Sequence, residues 1–150
     1  MIIEELTTNA SLHFLASTHL GRLACVQGSQ PYIVPIYFSC SNDYLYTFST
    51  VGQKIDWMRA NPLVCVEADE IVNCEIWTSV IVNGRFEELP DLPEWHNERS
   101  LAHDLLQSKA MWWEPGYAKT ILHGKERPLA PVFYRIHITD ITGHRAISNG

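Results

Sequence analysis

The stretch Glu75-Ile-Trp-Thr-Ser-Val-Ile-Val-Asn-Gly-Arg-Phe-Glu-Glu-Leu89 limits the fold more than any other part of the chain. It predicts one long strand, because β-branched and aromatic residues dominate it and strand side chains alternate between two faces. Ile76, Val80 and Val82 share one face, while Trp77, Ser79 and Ile81 share the other. Apolar bulk on both faces calls for cover on both, as in a barrel wall or a subunit interface.

Partners for this strand lie on either side of it in sequence. Arg22 to Val26 and Pro31 to Phe38 read as a hairpin around Gln-Gly-Ser-Gln, followed by strands at Tyr44 to Ser49, Leu63 to Ala68 and Pro131 to Ile138. A first helix is predicted from Asn9 to Ser17, capped by Thr7 or Thr8, with Leu12 and Leu15 turned inward and Gly21 following its end. Another is predicted from about Glu94 to Ser108, with Trp95, Leu101, Leu105 and Leu106 as its apolar residues, and Trp112-Trp-Glu-Pro-Gly116 breaks it. Six short strands with peripheral helices indicate a mainly β fold, a small antiparallel barrel formed by residues 1–150 as one domain.

Charge narrows the function classes. The formal net charge is −6, and the eleven basic residues are scattered, which argues against nucleic acid or an anionic membrane as partner. No apolar run approaches a membrane span, so a soluble, cytoplasmic protein is expected. Cys25, Cys40, Cys65 and Cys74 have no C-x-x-C spacing and read as reduced, structural thiols. His96 and His103 sit two turns apart, a poor spacing for a metal pair, so no metal is expected.

Chemistry concentrates between Leu45 and Pro62. The segment begins as a strand and ends as a helix closed by Asn61-Pro62, since the residue before proline avoids the α region. At the junction stand Ser49, Thr50 and Gly52, where the unpartnered first amides of a helix can hold an anion. Lys54 falls in the first helical turn, where a cation opposes the helix dipole unless an anion compensates it. A phosphate would do so; a hydroxyl-capped helix with a solvated lysine is the other reading. Pro35 interrupts a strong strand and cannot donate to a ladder, so that strand is an edge, a bulge or a split. An edge of this kind can bond a flat heterocycle through the backbone around Val34 and Ile36. No nucleophile motif or dinucleotide fingerprint occurs, so any hard chemistry belongs to a bound cofactor.

Gly21-Arg-Leu-Ala, Pro31-Tyr-Ile-Val-Pro-Ile-Tyr-Phe38, Leu45-Tyr-Thr-Phe-Ser49 with Gly52-Gln-Lys54 and Asn61-Pro62, and Trp77-Thr-Ser-Val with Gly84-Arg follow one another in a telling order. In this order the chain resembles the pyridoxamine 5′-phosphate oxidase-like flavoproteins, and most closely their small branch related to nitroimidazole-resistance proteins. The likeness runs from about residue 6 to residue 146. It implies a six-stranded antiparallel split β-barrel that binds FMN at the interface of a homodimer. On matching positions, Ile33, Val34, Pro35 and Ile36 would line the flavin ring through their backbone. Tyr46, Thr47, Ser49 and Thr50 would lie along the ribityl phosphate, Lys54 would pair with that phosphate, and Ser79 would reach the ring or its tail. Gln53 stands where the oxidases commonly carry an arginine, which leaves the phosphate less positive charge. Because two adjacent tryptophans cannot both face one core, Trp113, or Trp112 in its stead, would cover the exposed flavin.

Two departures bear on activity. The basic C-terminal segment that binds substrate phosphate in the oxidases is missing, so oxidation of pyridoxamine phosphate itself is not expected. Phe48 replaces the histidine that precedes the phosphate-strand serine in nitroimidazole-resistance proteins, which tells against drug reduction of that type. The expected function is an FMN oxidoreductase acting on an unidentified small molecule. The alternative is a carrier or sensor of flavin, haem or the deazaflavin F420 on the same barrel, without turnover.

Overall fold

In the computed structural model of the chain the described residues are 1–107, 119–122, 124–128 and 131–150. Their order is β1 (Ile2–Leu6), α1 (Thr8–Ser17), β2 (Leu20–Gln27), β3 (Gln30–Tyr37), β4 (Ser39–Ser41), β5 (Tyr44–Thr50), α2 (Gln53–Ala60), β6 (Leu63–Asn73), β7 (Ile76–Glu88), a 3-10 turn (Pro93–Trp95), α3 (His96–Gln107), β8 (Lys119–Leu122), β9 (Lys125–Pro128) and β10 (Pro131–Ile147).

Eight strands form one antiparallel sheet in the order β3-β2-β6-β7-β10-β5-β4, with β1 paired to the far end of β10, and β8 with β9 makes a separate hairpin. The two ends of the path, β3 and β4, are consecutive in the chain, and the Thr47 hydroxyl of β5 donates to the Tyr37 carbonyl at the end of β3. The sheet therefore curls round on itself as a split barrel. Inward-facing residues from every wall fill it: Leu23 and Cys25 from β2, Ile36 from β3, Leu45 from β5, Val64 and Val66 from β6, Val80 and Val82 from β7, and Tyr134 and Ile136 from β10. Helix α2 plugs this core with Ile55 and Met58, both fully buried. A second, smaller core lies outside the barrel wall, where Ala102 and Leu106 of α3 pack on Tyr46, Phe48 and Phe133.

The two-faced strand is present as β7. Val80 and Val82 are wholly buried, whereas Ile81 on the opposite face is 42% exposed. Four further features differ from the sequence expectation of six strands. Ile2–Leu6 is a strand because it pairs with the chain's other end, at Gly143 to Ile147, which no local pattern reveals. Ser39–Ser41 and the β8–β9 hairpin are too polar or too short to show alternation. The last strand does not stop at Ile138. It passes a bulge between Ile138 and Asp140 and runs on to Ile147.

Helix α1 is capped as expected, by Thr7, whose hydroxyl accepts from the Ala10 amide at 3.1 Å. Gly21 follows the helix but is not its stop signal, since α1 ends at Ser17 with Thr18 as its C-cap and Gly21 lies within β2. A Cβ there would stand 2.9 Å from the Glu67 carbonyl oxygen and 3.0 Å from the Phe38 ring, so the glycine serves close packing. On α3 the buried residues are Ala102 and Leu106, while Leu101 faces outward. All four cysteines are free thiols. Burial, with the Asp43 carboxylate nearby, pushes the Cys40 thiol up to about 11, and burial also raises Cys25 and Cys65.

Gly84 provides a stability test. An added Cβ would sit 2.5 Å from the Ile136 side chain and 2.6 Å from the His137 carbonyl oxygen, a backbone atom that cannot move alone. Gly84→Ala is expected to cost about 1–3 kcal/mol, as overpacking does. At roughly 2–4 °C per kcal/mol for a domain of this size, the melting temperature should fall by about 2–12 °C. Gly52→Ala, whose Cβ would meet nothing within 4 Å, should leave it almost unchanged.

Candidate functional site

Strand β3 is an edge, paired in the sheet with β2 alone among the described strands, with Pro35 opposite Arg22. Proline is tolerated there because the missing donor disrupts no interior ladder. Ile33 and Pro35 point outward and are exposed, Ile36 is buried in the barrel, and Val34 is half-buried. Helix α2 stands beside this edge: the Tyr32 and Trp57 rings lie 5.5 Å apart, tilted by 59°. The sequence reading missed both aromatics. Trp57 comes one turn after Lys54, and Tyr32 alternates with the inward Val34, spacings from which a pairing of edge and helix could have been anticipated.

The start of α2 has no hydroxyl cap. Gly52 occupies the cap position with an extended backbone, and no side chain bonds the first amides. The Ser49 hydroxyl instead donates to the Thr50 carbonyl at 3.2 Å. Gln53, the first helical residue, is exposed. Lys54 is half-buried and has no carboxylate partner among the described residues; Asp56, the acidic residue of the same turn, is exposed. Burial lowers the Lys54 pKa from its ordinary 10.5, and the nearby Cys25 thiol acts in the opposite direction. Uncapped amides and a half-buried lysine thus meet at one helix end, and the hydroxyl cap of the other reading is absent. A phosphate monoester or diester matches this donor set, because amides and ammonium are all donors and an anion supplies the missing charge.

The remaining expected residues are spread more widely. Thr47 faces the barrel interior and is fully buried, in register with Tyr134. Tyr46 lies on the opposite side of β5, packed with α3, and its hydroxyl accepts from Arg135 at 3.5 Å. Ser79 sits on the outer face of β7 and donates to Glu67 at 3.1 Å. Arg22 joins that cluster, 3.9 Å from Glu67 and 3.4 Å from Asp69. Burial raises the Glu67 pKa, and the adjoining Asp69 raises it further, against the opposing pull of Ser79 and Arg22. Trp112 and Trp113 lie outside the described residues. Helix α2, which carries Lys54 and follows Ser49 and Thr50 in the chain, thus touches β3 through Trp57 and Tyr32, and Ser79 lies in a polar cluster on the outer sheet face.

Comparison with known proteins agrees with this architecture. The family model for pyridoxamine 5′-phosphate oxidase matches residues 7–145. An uncharacterised protein of Rhizobium meliloti (strain 1021) is 40% identical over 146 residues, covering 97% of both chains. Among solved structures, a FAD-binding protein from Mesorhizobium loti is 38% identical, with 99% of each chain covered and a TM-score of 0.80. A candidate 5-nitroimidazole antibiotic resistance protein from Bacteroides thetaiotaomicron shares the fold at 16% identity, with 97% of this chain and 89% of that one covered and a TM-score of 0.67. With the match spanning nearly its whole length, and with the split barrel the sequence led one to expect, the chain belongs to the pyridoxamine 5′-phosphate oxidase family.

Proposed function

We propose that this chain is a flavoprotein that holds FMN, or the FMN half of a larger flavin, between β3 and α2, and that it acts as a cytoplasmic homodimeric oxidoreductase on a small molecule. The observation that carries this reading is Lys54: a half-buried cation at an uncapped helix start, with no carboxylate partner among the described residues. The 38%-identical Mesorhizobium loti protein, which binds FAD, supports it. Bound flavin supplies hydride and electron transfer. The protein's own part is to bind and orient. Lys54 and the first amides of α2 take the phosphate, while the open edge of β3 offers its backbone groups to the polar rim of the ring. Ser49 and Thr50 can turn their hydroxyls to the phosphate, at the cost of the weak local bond that Ser49 now makes. Among the described residues no helix is long and apolar enough to cross a membrane.

Support for a dimer comes from the outer sheet face. Ile33 on β3, Leu63 on β6 and Ile81 on β7 share that face by register and are 64%, 59% and 42% exposed. Leu63 also lines a groove of about 430 Å³ together with Ala24, Pro31 and Cys65. A second copy would cover this surface and complete the surroundings of a flavin lying along β3. Leu63→Lys combined with Ile81→Lys should convert the protein to a monomer in sedimentation and lower its flavin content. A parent protein that sediments as a monomer while yellow would rule the dimer out.

Lys54 can be tested in two ways. Lys54→Ala should weaken FMN binding about tenfold to a hundredfold, the equivalent of a charge-assisted bond of roughly 1.5–3 kcal/mol. Riboflavin, which has no phosphate, should bind parent and variant alike. Equal FMN affinities would remove Lys54 from the phosphate site.

The second test concerns the ligand-free protein. Because the folded pKa of Lys54 lies below 10.5, the unfolded chain binds more protons between the two values. Stability should therefore rise as pH climbs through the folded value and level off above 10.5. Urea midpoints measured from about pH 8 to about pH 11 should show this rise in the parent but not in Lys54→Met. Identical profiles would mean that the amine is not held in a desolvated place.

A further inference from the structure

The outer face of the sheet carries charge as well as exposed apolar residues, and the charge is divided unevenly along it. At one place a cation is lacking. Glu67 and Asp69, on successive outward positions of β6, share the single guanidinium of Arg22, at 3.9 Å and 3.4 Å. The Ser79 hydroxyl donates to Glu67 but adds no charge. His144 on β10 stands opposite Ser79 and has Glu5 of β1 on its other side, so it brings no spare cation. Burial and the adjoining Asp69 hold the Glu67 carboxyl above its ordinary pKa.

Further along the same face a cation is left over. Arg85 of β7 is exposed, lies opposite Leu63 on one side and His137 on the other, and pairs with no carboxylate among the described residues. Glu87, two residues on along the same face, is engaged by Arg135 at 2.7 Å, and Glu88 is engaged by Arg59. Register fixes the distance between surplus and deficit. Glu67 is opposite Ile81, and Arg85 follows Ile81 by four residues, roughly 13 Å along the strand. Cys65 and Asn83, paired with each other, lie half-way.

Within one chain this gap stays open, because the ladders hold both strands in place. A second copy closes it. Two identical sheets can pack face to face about 10 Å apart, with a two-fold axis running along the Cys65–Asn83 row. Rows equally far from that axis on its two sides then meet. The row of Leu63 and Arg85 faces the row of the partner's Glu67 and the partner's Ile81, and the contact is made twice. Each copy supplies the charge that the other lacks, and Leu63 comes beside the partner's Ile81.

We infer that two reciprocal ion pairs, each from Arg85 of one chain to Glu67 and Asp69 of the other, hold a second copy of this chain on the outer sheet face in a single register. The inference rests on the dimer reading given above and names the charges that set its geometry. Sedimentation of the parent, of Arg85→Glu, of Glu67→Lys and of an equimolar mixture of the two variants tests it. Each variant alone brings like charges together, and its dimer dissociation constant should rise about tenfold or more. In the mixture the new carboxylate of one variant faces the new ammonium of the other, while the remaining Arg85 and Glu67 still meet. A heterodimer should therefore form with a dissociation constant within about fivefold of the parent's. A role of these residues confined to one chain predicts no such rescue. Should Glu67→Lys fail to fold, Asp69→Lys takes its place with the same expectation. Variants that each dimerise within about twofold of the parent overturn the inference and leave the dimer standing, and so do weakened variants that stay apart when mixed. A monomeric parent overturns the dimer reading and this inference with it.

Discussion

The backbone ladder of β10 is the constraint on which the rest of the structure depends. Its first half runs between β7 and β5, and its second half runs between β7 and β1, so one strand joins both parts of the sheet. The bulge at Thr139 marks the change, with the Ile138 amide donating to Asp43 and the Thr139 hydroxyl to Asn83. A bulge bends its strand and increases local twist, which lets the sheet curl instead of lying flat. Tyr134 and Ile136 carry the interior core on one face, and Phe133 and Arg135 carry the α3 side on the other. A cavity beside α3, lined also by His96 and His103, thus has a wall from this strand, and α2 follows in the chain from its neighbour β5.

Within that frame the α2 site is made from a conflict left unresolved. Ordinary helices begin with a hydroxyl or carboxylate over their first amides. Here the strand hands over to the helix through Gly52, and the first turn carries the half-buried Lys54 as well as the exposed Asp56. Burial of Ile55 and Met58 holds the helix in place despite this, because core packing outweighs the few tenths of a kcal/mol at stake in the dipole term. The Tyr32–Trp57 contact then keeps the helix beside the edge strand.

Much of this was legible in the sequence, for reasons that can be named. Alternation in Ile76 to Phe86 marked β7, Pro35 marked an edge, and Asn61-Pro62 marked the end of α2, all because backbone geometry acts locally. Lys54 was legible as an anomaly, since a cation in a first turn stands out against the dipole. Pairings over long distances were not. Nothing near Ile2 announces Ile147, and nothing near Arg22 announces Glu67 and Asp69. His96 and His103 read only as a poor metal pair, because Phe133, which lines the same cavity, comes from a strand far off in sequence. Register across a sheet is set by tertiary packing, and a single chain read from left to right does not display it.

The pairing of Ile2 with Ile147 also has a consequence in time. At about 5–20 residues per second, roughly 7–30 s separate the emergence of β1 from the ribosome and that of its partner. During that interval Met1, Ile2 and Ile3 belong to a strand with both edges open, and such edges invite pairing with other chains. The two acidic residues that follow, Glu4 and Glu5, place charge on the waiting strand before Arg145 arrives to meet Glu4. The same carboxylate therefore guards the nascent chain and later fastens the finished one.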